Sequence, residues 1–219
     1  MDLELKEVSE LLNVPAEELS QWAEKGTIPS YCIQNRLRFN REEIEEWLLE
    51  NPDAAKRNDK LSFDLFRALS KGEVFNLAKA SSKEEAIKEA MKQLAPKLEL
   101  DPEVLTEVIL AREELMPTSI GAGFAIPHAR DFHLPGPHDV VSVVFLPKPI
   151  AYGALDNIPV HTLFFLFATD DRRHLRLLAK IAHLISNPNV QHSFASHPNK
   201  TALLELVKTW ETELGIVKN

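Results

Sequence analysis

Hydrophobic residues recur at helical spacing in the first fifty residues, and this pattern predicts three short helices. The second helix begins at Pro15, a residue suited to the first helical position, and ends at Gly26. The third covers residues 42–49, and a short hairpin around Gln34-Asn35 precedes it. The apolar faces of the three helices hold Val8, Leu11 and Leu12; Leu19 and Trp22; and Ile44, Trp47 and Leu48.

The pattern changes from residue 61 onward, where helical segments intermix with runs of β-branched and aromatic residues. Residues 140–146 and 162–167 predict two largely buried strands. Ser81 and Glu84 fit a capping box at the start of a helix. The other predicted helices start at Asp101-Pro102, at Asp170-Asp171 and at residue 201. The intermixing of helices and strands predicts an α/β or α+β fold.

The charge of the chain is unevenly distributed along its 219 residues. Residues 1–50 contain 12 acidic and 5 basic residues, a balance of -7 out of a total net charge of -8. The polar segment 51–60 contains Asn-Pro and no large apolar residue, and therefore predicts a linker. We expect a small domain at residues 1–50 and a second domain at residues 61–219.

The composition of the chain indicates whether it enters a membrane and in which cellular compartment it is expected. No apolar run approaches the roughly 18 residues that a transmembrane helix needs, so we expect no membrane insertion. The acidic, amphipathic N-terminus is unlike a signal peptide. The single cysteine, Cys32, has no intramolecular partner, which fits a reducing, cytoplasmic setting.

Groups suited to phosphoryl chemistry are concentrated in residues 112–130. A histidine near neutral pH is both a nucleophile and a good leaving group, which makes His128 a candidate phosphoryl acceptor. The anion formed would need donors and positive charge around it. Candidates for that role are the side chains of Arg112 and Thr118 and the backbone of Gly121 and Gly123.

A second histidine, His174, lies in the first turn of the helix that begins at Asp170-Asp171. The positive end of a helix dipole favours anions there, so His174 is a candidate partner of the phosphoryl group. A metal site is not expected, because His128, His133 and His138 are spaced by five residues and no cysteine or close carboxylate completes a zinc set. No cofactor is expected either.

The first fifty residues resemble the excisionase/MerR-like winged-helix family over residues 3–49, in "LKEVSELLNVPAEELSQWAEKGTIPSY" and "RLRFNREEIEEWL". The resemblance places Ser20 and Gln21 on a DNA-recognition helix and Arg36 and Arg38 on a wing. That helix is acidic, whereas DNA affinity depends on neutralising phosphates with basic residues. DNA binding and protein docking therefore both stay open for this domain.

The second domain resembles the type-2 enzyme IIA family of the bacterial phosphotransferase system, which includes fructose, mannitol and nitrogen-regulatory proteins. The motifs are "AREELMPTSIGAGFAIPHAR" and "DDRRHLRLLAKIAHLI". The resemblance implies a mixed β-sheet flanked by helices on both sides. It implies that His128 is phosphorylated, that His174 supports it, and that Arg112 and Thr118 contact the phosphoryl group.

Two functions follow from the resemblance, and both use an HPr-type phosphocarrier protein as the donor. In the first, phosphorylation of His128 regulates a partner, with the winged-helix module recognising DNA or protein. In the second, the chain carries the phosphoryl group to a sugar-specific IIB in transport. A fused winged-helix domain, with no apolar span and no plausible cysteine nucleophile after the second unit, favours regulation.

Overall fold

The computed structural model describes residues 2–12, 14–34, 36–51, 64–129 and 132–216. The predicted linker at residues 51–60 lies outside the described residues except for Asn51, so the predicted domain boundaries stay predictions. No helix in these ranges is long and apolar enough to cross a membrane.

The N-terminal domain contains the three predicted helices, and a three-stranded antiparallel sheet packs with them. Its elements are β1 (Asp2–Glu4), α1 (Leu5–Leu12), α2 (Ala16–Glu24), β2 (Tyr31–Ile33), β3 (Arg36–Asn40) and α3 (Arg41–Glu50), with strand order β1-β3-β2. Pro15 is the N-cap of α2, so the helix begins at Ala16 and not at Pro15 as predicted. The side chain of Asn40 caps α3 by accepting hydrogen bonds from the Glu42 and Glu43 amides.

The second domain is built on a five-stranded mixed sheet with the order β4-β7-β8-β6-β5. Strands β7 and β8 are antiparallel, whereas β4 is parallel to β7 and β6 is parallel to β8. The elements are α4 (Asp64–Lys71), β4 (Val74–Asn76), α5 (Lys83–Leu94), a 3-10 helix (Ala95–Leu98), α6 (Pro102–Leu115), β5 (Ser119–Gly121), β6 (Phe124–Ala125), β7 (Val140–Ile150), β8 (Val160–Phe167), α7 (Asp171–Ile185), α8 (Pro188–Phe194) and α9 (Lys200–Ile216).

Helices cover both faces of this sheet, as the resemblance implies. One apolar cluster packs α5 and α6 against one face, and a second packs α4, α7, α8 and α9 against the other. The predicted fold class is therefore confirmed. The strand pattern Val160–Phe167 is almost continuously apolar because this central strand is buried on both faces.

One predicted cap is wrong by a single position. Ser82, not Ser81, is the N-cap of α5, and its hydroxyl accepts a hydrogen bond from the Glu85 amide. Ser81 instead donates from both its amide and its hydroxyl to the Glu85 carboxylate. Adjacent serines offer the same capping chemistry, so the pattern alone does not distinguish them.

The two domains are packed together along α7. Leu175 and Ala179 belong to the second domain, yet both are buried in the apolar cluster that forms the core of the N-terminal domain. The Arg41 guanidinium of α3 also lies 2.8 Å from the Asp171 carboxylate at the start of α7. The N-terminal domain therefore contacts the helix that carries His174.

Candidate functional site

His128 lies just after β6, at the edge of the sheet where the parallel strands β6 and β8 end. It forms an isolated parallel bridge with Leu166 near the end of β8. Its Nδ1 lies 2.7 Å from the carbonyl oxygen of Ile126. Because a carbonyl only accepts hydrogen bonds, Nδ1 carries the proton and the lone pair is on Nε2. Nε2 is therefore the ring nitrogen with a lone pair available for nucleophilic attack. This nitrogen is buried, and the whole residue is 1% exposed.

His174 packs against His128 from the first turn of α7. The two ring centroids are 4.9 Å apart, with an angle of 70° between the rings. Asp170 caps the helix, and its carbonyl accepts a hydrogen bond from the His174 amide. Burial holds the pKa of His174 well below its ordinary value, and the nearby His128, Arg41, His133 and Arg112 lower this pKa further. The ring is therefore neutral near pH 7.

Arg112 provides the permanent positive charge that the sequence predicts near the histidines. It lies in the last turn of α6, is 2% exposed, and donates from Nη1 to the Met116 carbonyl oxygen at 2.9 Å. Its Nε is buried without a hydrogen-bond partner among the residues that the structure describes. A buried donor of this kind is suited to a phosphoryl oxygen, since burying it without an acceptor costs free energy.

Thr118 is buried beside the His128 segment but directs its hydroxyl towards a carboxylate. Its carbonyl accepts a hydrogen bond from the Ile126 amide, which ties it to the strand before His128. Its hydroxyl and its amide both donate to Glu113. Burial raises the pKa of Glu113 above its ordinary value, although the hydrogen bonds from Thr118 lower it in part. The predicted contact of Thr118 with a phosphoryl group stays a prediction.

The glycine-containing turn connects β5 to β6, and its backbone requires small residues. Gly121 and Gly123 have φ values of +85° and +84°. A Cβ at Gly123 would lie 2.5 Å from the His161 ring. The Ala122 amide between the glycines donates to the Asp156 carboxylate at 2.8 Å. These constraints explain the glycines by local packing, and their predicted role in binding phosphoryl oxygens stays a prediction.

Two residues of the N-terminal domain, Arg41 and Glu45, also line the site, and neither is predicted from the sequence. Glu45 of α3 is 5% exposed, with Oε1 lying 3.9 Å from Nε2 of His174 and 3.3 Å from Nε of Arg41. Arg41 and Glu45 share a helical stripe with the buried Ile44 and Leu48, at spacings of three and four residues. Charged residues within an apolar stripe are the signal that could have identified them.

Glu45, His128 and His174 are positioned such that they could hold a metal ion, because one ligand atom of each residue lies within 4.8 Å of those of the other two. The surrounding charge favours an anion instead. Arg41 and Arg112 both add positive charge at His174. A dication would be repelled by two guanidinium groups, whereas a carboxylate or a phosphoryl group would be attracted.

The residues implied for DNA recognition lie away from this cluster. Gln21 is exposed on α2, and Ser20 donates its hydroxyl to the Ala16 carbonyl oxygen within the same helix. On the hairpin, Arg36 is exposed, while Arg38 forms an ion pair with Glu4 at 2.6 Å. The structure therefore leaves α2 accessible, but one of the two wing arginines is neutralised by a carboxylate.

Comparisons with known proteins agree with both halves of this structure. The family described as "Phosphoenolpyruvate-dependent sugar phosphotransferase system, EIIA 2" matches residues 67–210, and a helix-turn-helix domain family matches residues 3–52. A nitrogen regulatory protein of Pseudomonas aeruginosa is 35% identical over 111 residues, covering 50% of this chain and 71% of that protein. A nitrogen regulatory protein of Escherichia coli is 32% identical over 132 residues, covering 59% of this chain and 80% of that protein.

Solved structures show the same domain. Nitrogen regulatory protein IIA-Ntr from Neisseria meningitidis has a TM-score of 0.56 at 25% identity, covering 63% of this chain and 93% of that chain. IIA mannitol from Escherichia coli shares the fold, with a TM-score of 0.52 at 24% identity, covering 63% of this chain and 96% of that chain. The chain therefore belongs to the EIIA type 2 family of the phosphoenolpyruvate-dependent sugar phosphotransferase system, with an N-terminal helix-turn-helix domain.

Proposed function

We propose that this chain is a regulatory IIA-type protein that accepts a phosphoryl group on Nε2 of His128 from an HPr-type phosphocarrier. The observation that carries the proposal is the buried pair His128–His174, in which the His174 ring is neutral and the buried Arg112 guanidinium adds positive charge at His174. Membership of the EIIA type 2 family and similarity to nitrogen regulatory proteins support the same conclusion.

The transfer needs no cofactor, because the imidazole itself is the nucleophile. The Nε2 lone pair of His128 forms the new N–P bond as the N–P bond of the donor phosphohistidine breaks. The donor ring, protonated on its other nitrogen, leaves as a neutral imidazole with the electron pair of the broken bond. The proton on Nδ1 of His128 stays in place, held by the Ile126 carbonyl oxygen. Atoms and charge therefore balance between the two rings.

The surrounding groups stabilise the phosphoryl group during and after transfer. Because its pKa is lowered, His174 is neutral and keeps one N–H available to donate to a phosphoryl oxygen. Arg112 adds a forked cation whose Nε is buried without a partner in the described residues. Such fixed donors in a buried site cost little reorganisation when negative charge arrives.

A regulatory role is favoured over transport by the position of the helix-turn-helix domain. Its α3 lies directly against the histidine pair, so the state of His128 and the position of this domain are physically connected. Protein recognition is the more favourable use of the domain. Its exposed α2 carries Glu17 and Glu18 in its first turn, and these would repel the phosphates of DNA.

Intact-mass measurement after incubation with phosphoenolpyruvate, enzyme I and the HPr-type carrier tests the proposal. We expect the full chain to gain the mass of one phosphoryl group and the His128→Ala variant to gain none. His192→Ala, an exposed histidine on α8, is the matched control and should be labelled like the wild type. Label that persists in His128→Ala would overturn the assignment.

A further inference from the structure

The helix-turn-helix domain covers the nitrogen that must react. His128 is 1% exposed and its Nε2 is buried, so the phosphohistidine of a carrier protein has no path to it in this arrangement. An in-line transfer requires the donor phosphorus to approach Nε2 directly. In this arrangement Nε2 is not exposed to such an approach, and α3 is the part of the helix-turn-helix domain that lies against the histidine pair.

A carboxylate of α3 lies where a phosphoryl group would have to fit. A carboxylate oxygen of Glu45 lies within 4.8 Å of a ring nitrogen of His128 and of a ring nitrogen of His174. Glu45 also forms an ion pair with Arg41. A phosphoryl group on Nε2 would project three oxygens into the same buried, positively charged space. Glu45 therefore occupies this space as an anion of the chain's own.

The docking surface on α7 suits this domain in both shape and charge. Leu175 and Ala179 of α7 complete the apolar core of the N-terminal domain. Around them, Arg41 contacts Asp171 at 2.8 Å, and Glu10 of α1 lies 3.4 Å from Arg172. A domain with a net charge of -7 is thereby placed over a site whose buried side chains include Arg112 and two histidines.

We infer that the helix-turn-helix domain and the phosphocarrier compete for one surface around His128, and that phosphorylation displaces the domain through Glu45. This inference rests on the proposed function. A phosphoryl group brings a charge of about −1.5 to −2 near neutral pH and would be repelled by the buried Glu45 carboxylate. The docked domain therefore slows phosphorylation, and a phosphorylated His128 releases α3 and the surface of α7 that it covers.

Phosphorylation rates of full-length variants test the competition. Glu45→Ala removes the competing carboxylate, and Ala179→Glu places a larger, charged side chain in the docking surface. Each should raise the initial rate of labelling by the phosphorylated carrier about tenfold or more. The reason is that this rate is proportional to the fraction of molecules in which His128 is accessible to the carrier. Glu46→Ala on the same helix and Ala202→Glu, an exposed alanine of α9, are matched controls and should remain within about twofold of wild type.

The outcomes separate this inference from the proposed function. Equal rates for the wild type, Glu45→Ala and Ala179→Glu would leave His128 as the acceptor but overturn the competition. A slower Glu45→Ala would also overturn it, because Glu45 would then assist transfer. No label on any variant would overturn the proposed function, and the competition with it. Far-UV circular dichroism verifies that Ala179→Glu is folded, and Glu45→Ala provides the decisive rate if it is not.

Discussion

The residues on the two sides of His128 come from different domains and are held in place in different ways. On one side, Arg112, Ile126 and His174 belong to the same domain as His128, and the sheet and its flanking helices fix their positions. On the other side, Arg41 and Glu45 come from α3 of a separate domain and reach the site through packing on α7. In the proposed function the fixed side supplies the chemistry, and in the inferred competition the side from α3 controls access to His128.

The largest effect is expected on the fixed side, from removal of the Arg112 guanidinium. Arg112→Ala should lower the rate of His128 phosphorylation about a hundredfold, as loss of a preorganised donor to a developing anion does in other sites. Arg112→Lys should retain part of the rate, because it keeps the charge but loses the fork. Intact-mass time courses measure both variants. An unchanged rate in Arg112→Ala would remove this residue from the site.

Acidification should lower the free energy of unfolding of the protein, because His174 is buried in its neutral form. Its pKa in the folded chain is lowered by burial and then by nearby positive charge. Between the ordinary histidine pKa and this lowered value, the unfolded chain binds more protons, so stability falls as the pH drops through that range. Thermal unfolding of wild type and His174→Asn at about pH 7.5 and about pH 5.5 measures the effect. The variant should lose less on acidification, and equal losses would contradict this account.

A smaller effect is expected from the cap of the docking helix. Asn40→Ala removes the side-chain acceptor for the Glu42 and Glu43 amides and should cost about 1 kcal/mol of stability. Because α3 covers His128, the same change should accelerate phosphorylation. Asp101→Ala removes an equivalent cap from α6 and is the matched control. It should destabilise the protein by a similar amount without accelerating phosphorylation, and equal acceleration by both variants would contradict the account.

The smallest effect is expected at the rim of the domain contact. Arg172 and Glu10 form an ion pair at 3.4 Å with both side chains about half exposed. Exposed pairs contribute little because water and salt screen them, so Arg172→Ala should change stability by no more than about 0.5 kcal/mol. Denaturant unfolding measures this change. A loss above about 1 kcal/mol would mean that charge, rather than apolar packing, holds the domains together.

The sequence predicted the long, strongly periodic elements and the histidine pair for different physical reasons. Burial of the central strand makes residues 160–167 almost continuously apolar, and α7 keeps a clear apolar face. The residues of the predicted site around His128 are close together in the sequence, so the motif that they form can be identified without the structure. The short strands β1, β4, β5 and β6 were missed because two or three residues carry no distinct periodicity.

Glu45 shows why the rest of the site could not be predicted from sequence. Five glutamates, at positions 42, 43, 45, 46 and 50, lie in α3. Among the first four of them, Glu45 alone is buried, and it lies against the histidines. Which one meets His174 depends on how two domains pack, which no local pattern specifies. The charge of -7 in the first fifty residues is an argument against DNA binding at the sequence level. In the structure the same residues form a domain that packs over the buried His128–His174 pair, which is the proposed phosphoryl site.

Amide hydrogen exchange of the full chain, before and after phosphorylation, tests the central claim most directly. Exchange reports the local opening of hydrogen-bonded segments, and α3 with the first half of α7 forms the contact in question. Phosphorylation of His128 should increase exchange in α3 and in residues 171–179, while β7 and β8 remain protected. Unchanged exchange in α3 of a fully phosphorylated chain would contradict the release of the helix-turn-helix domain.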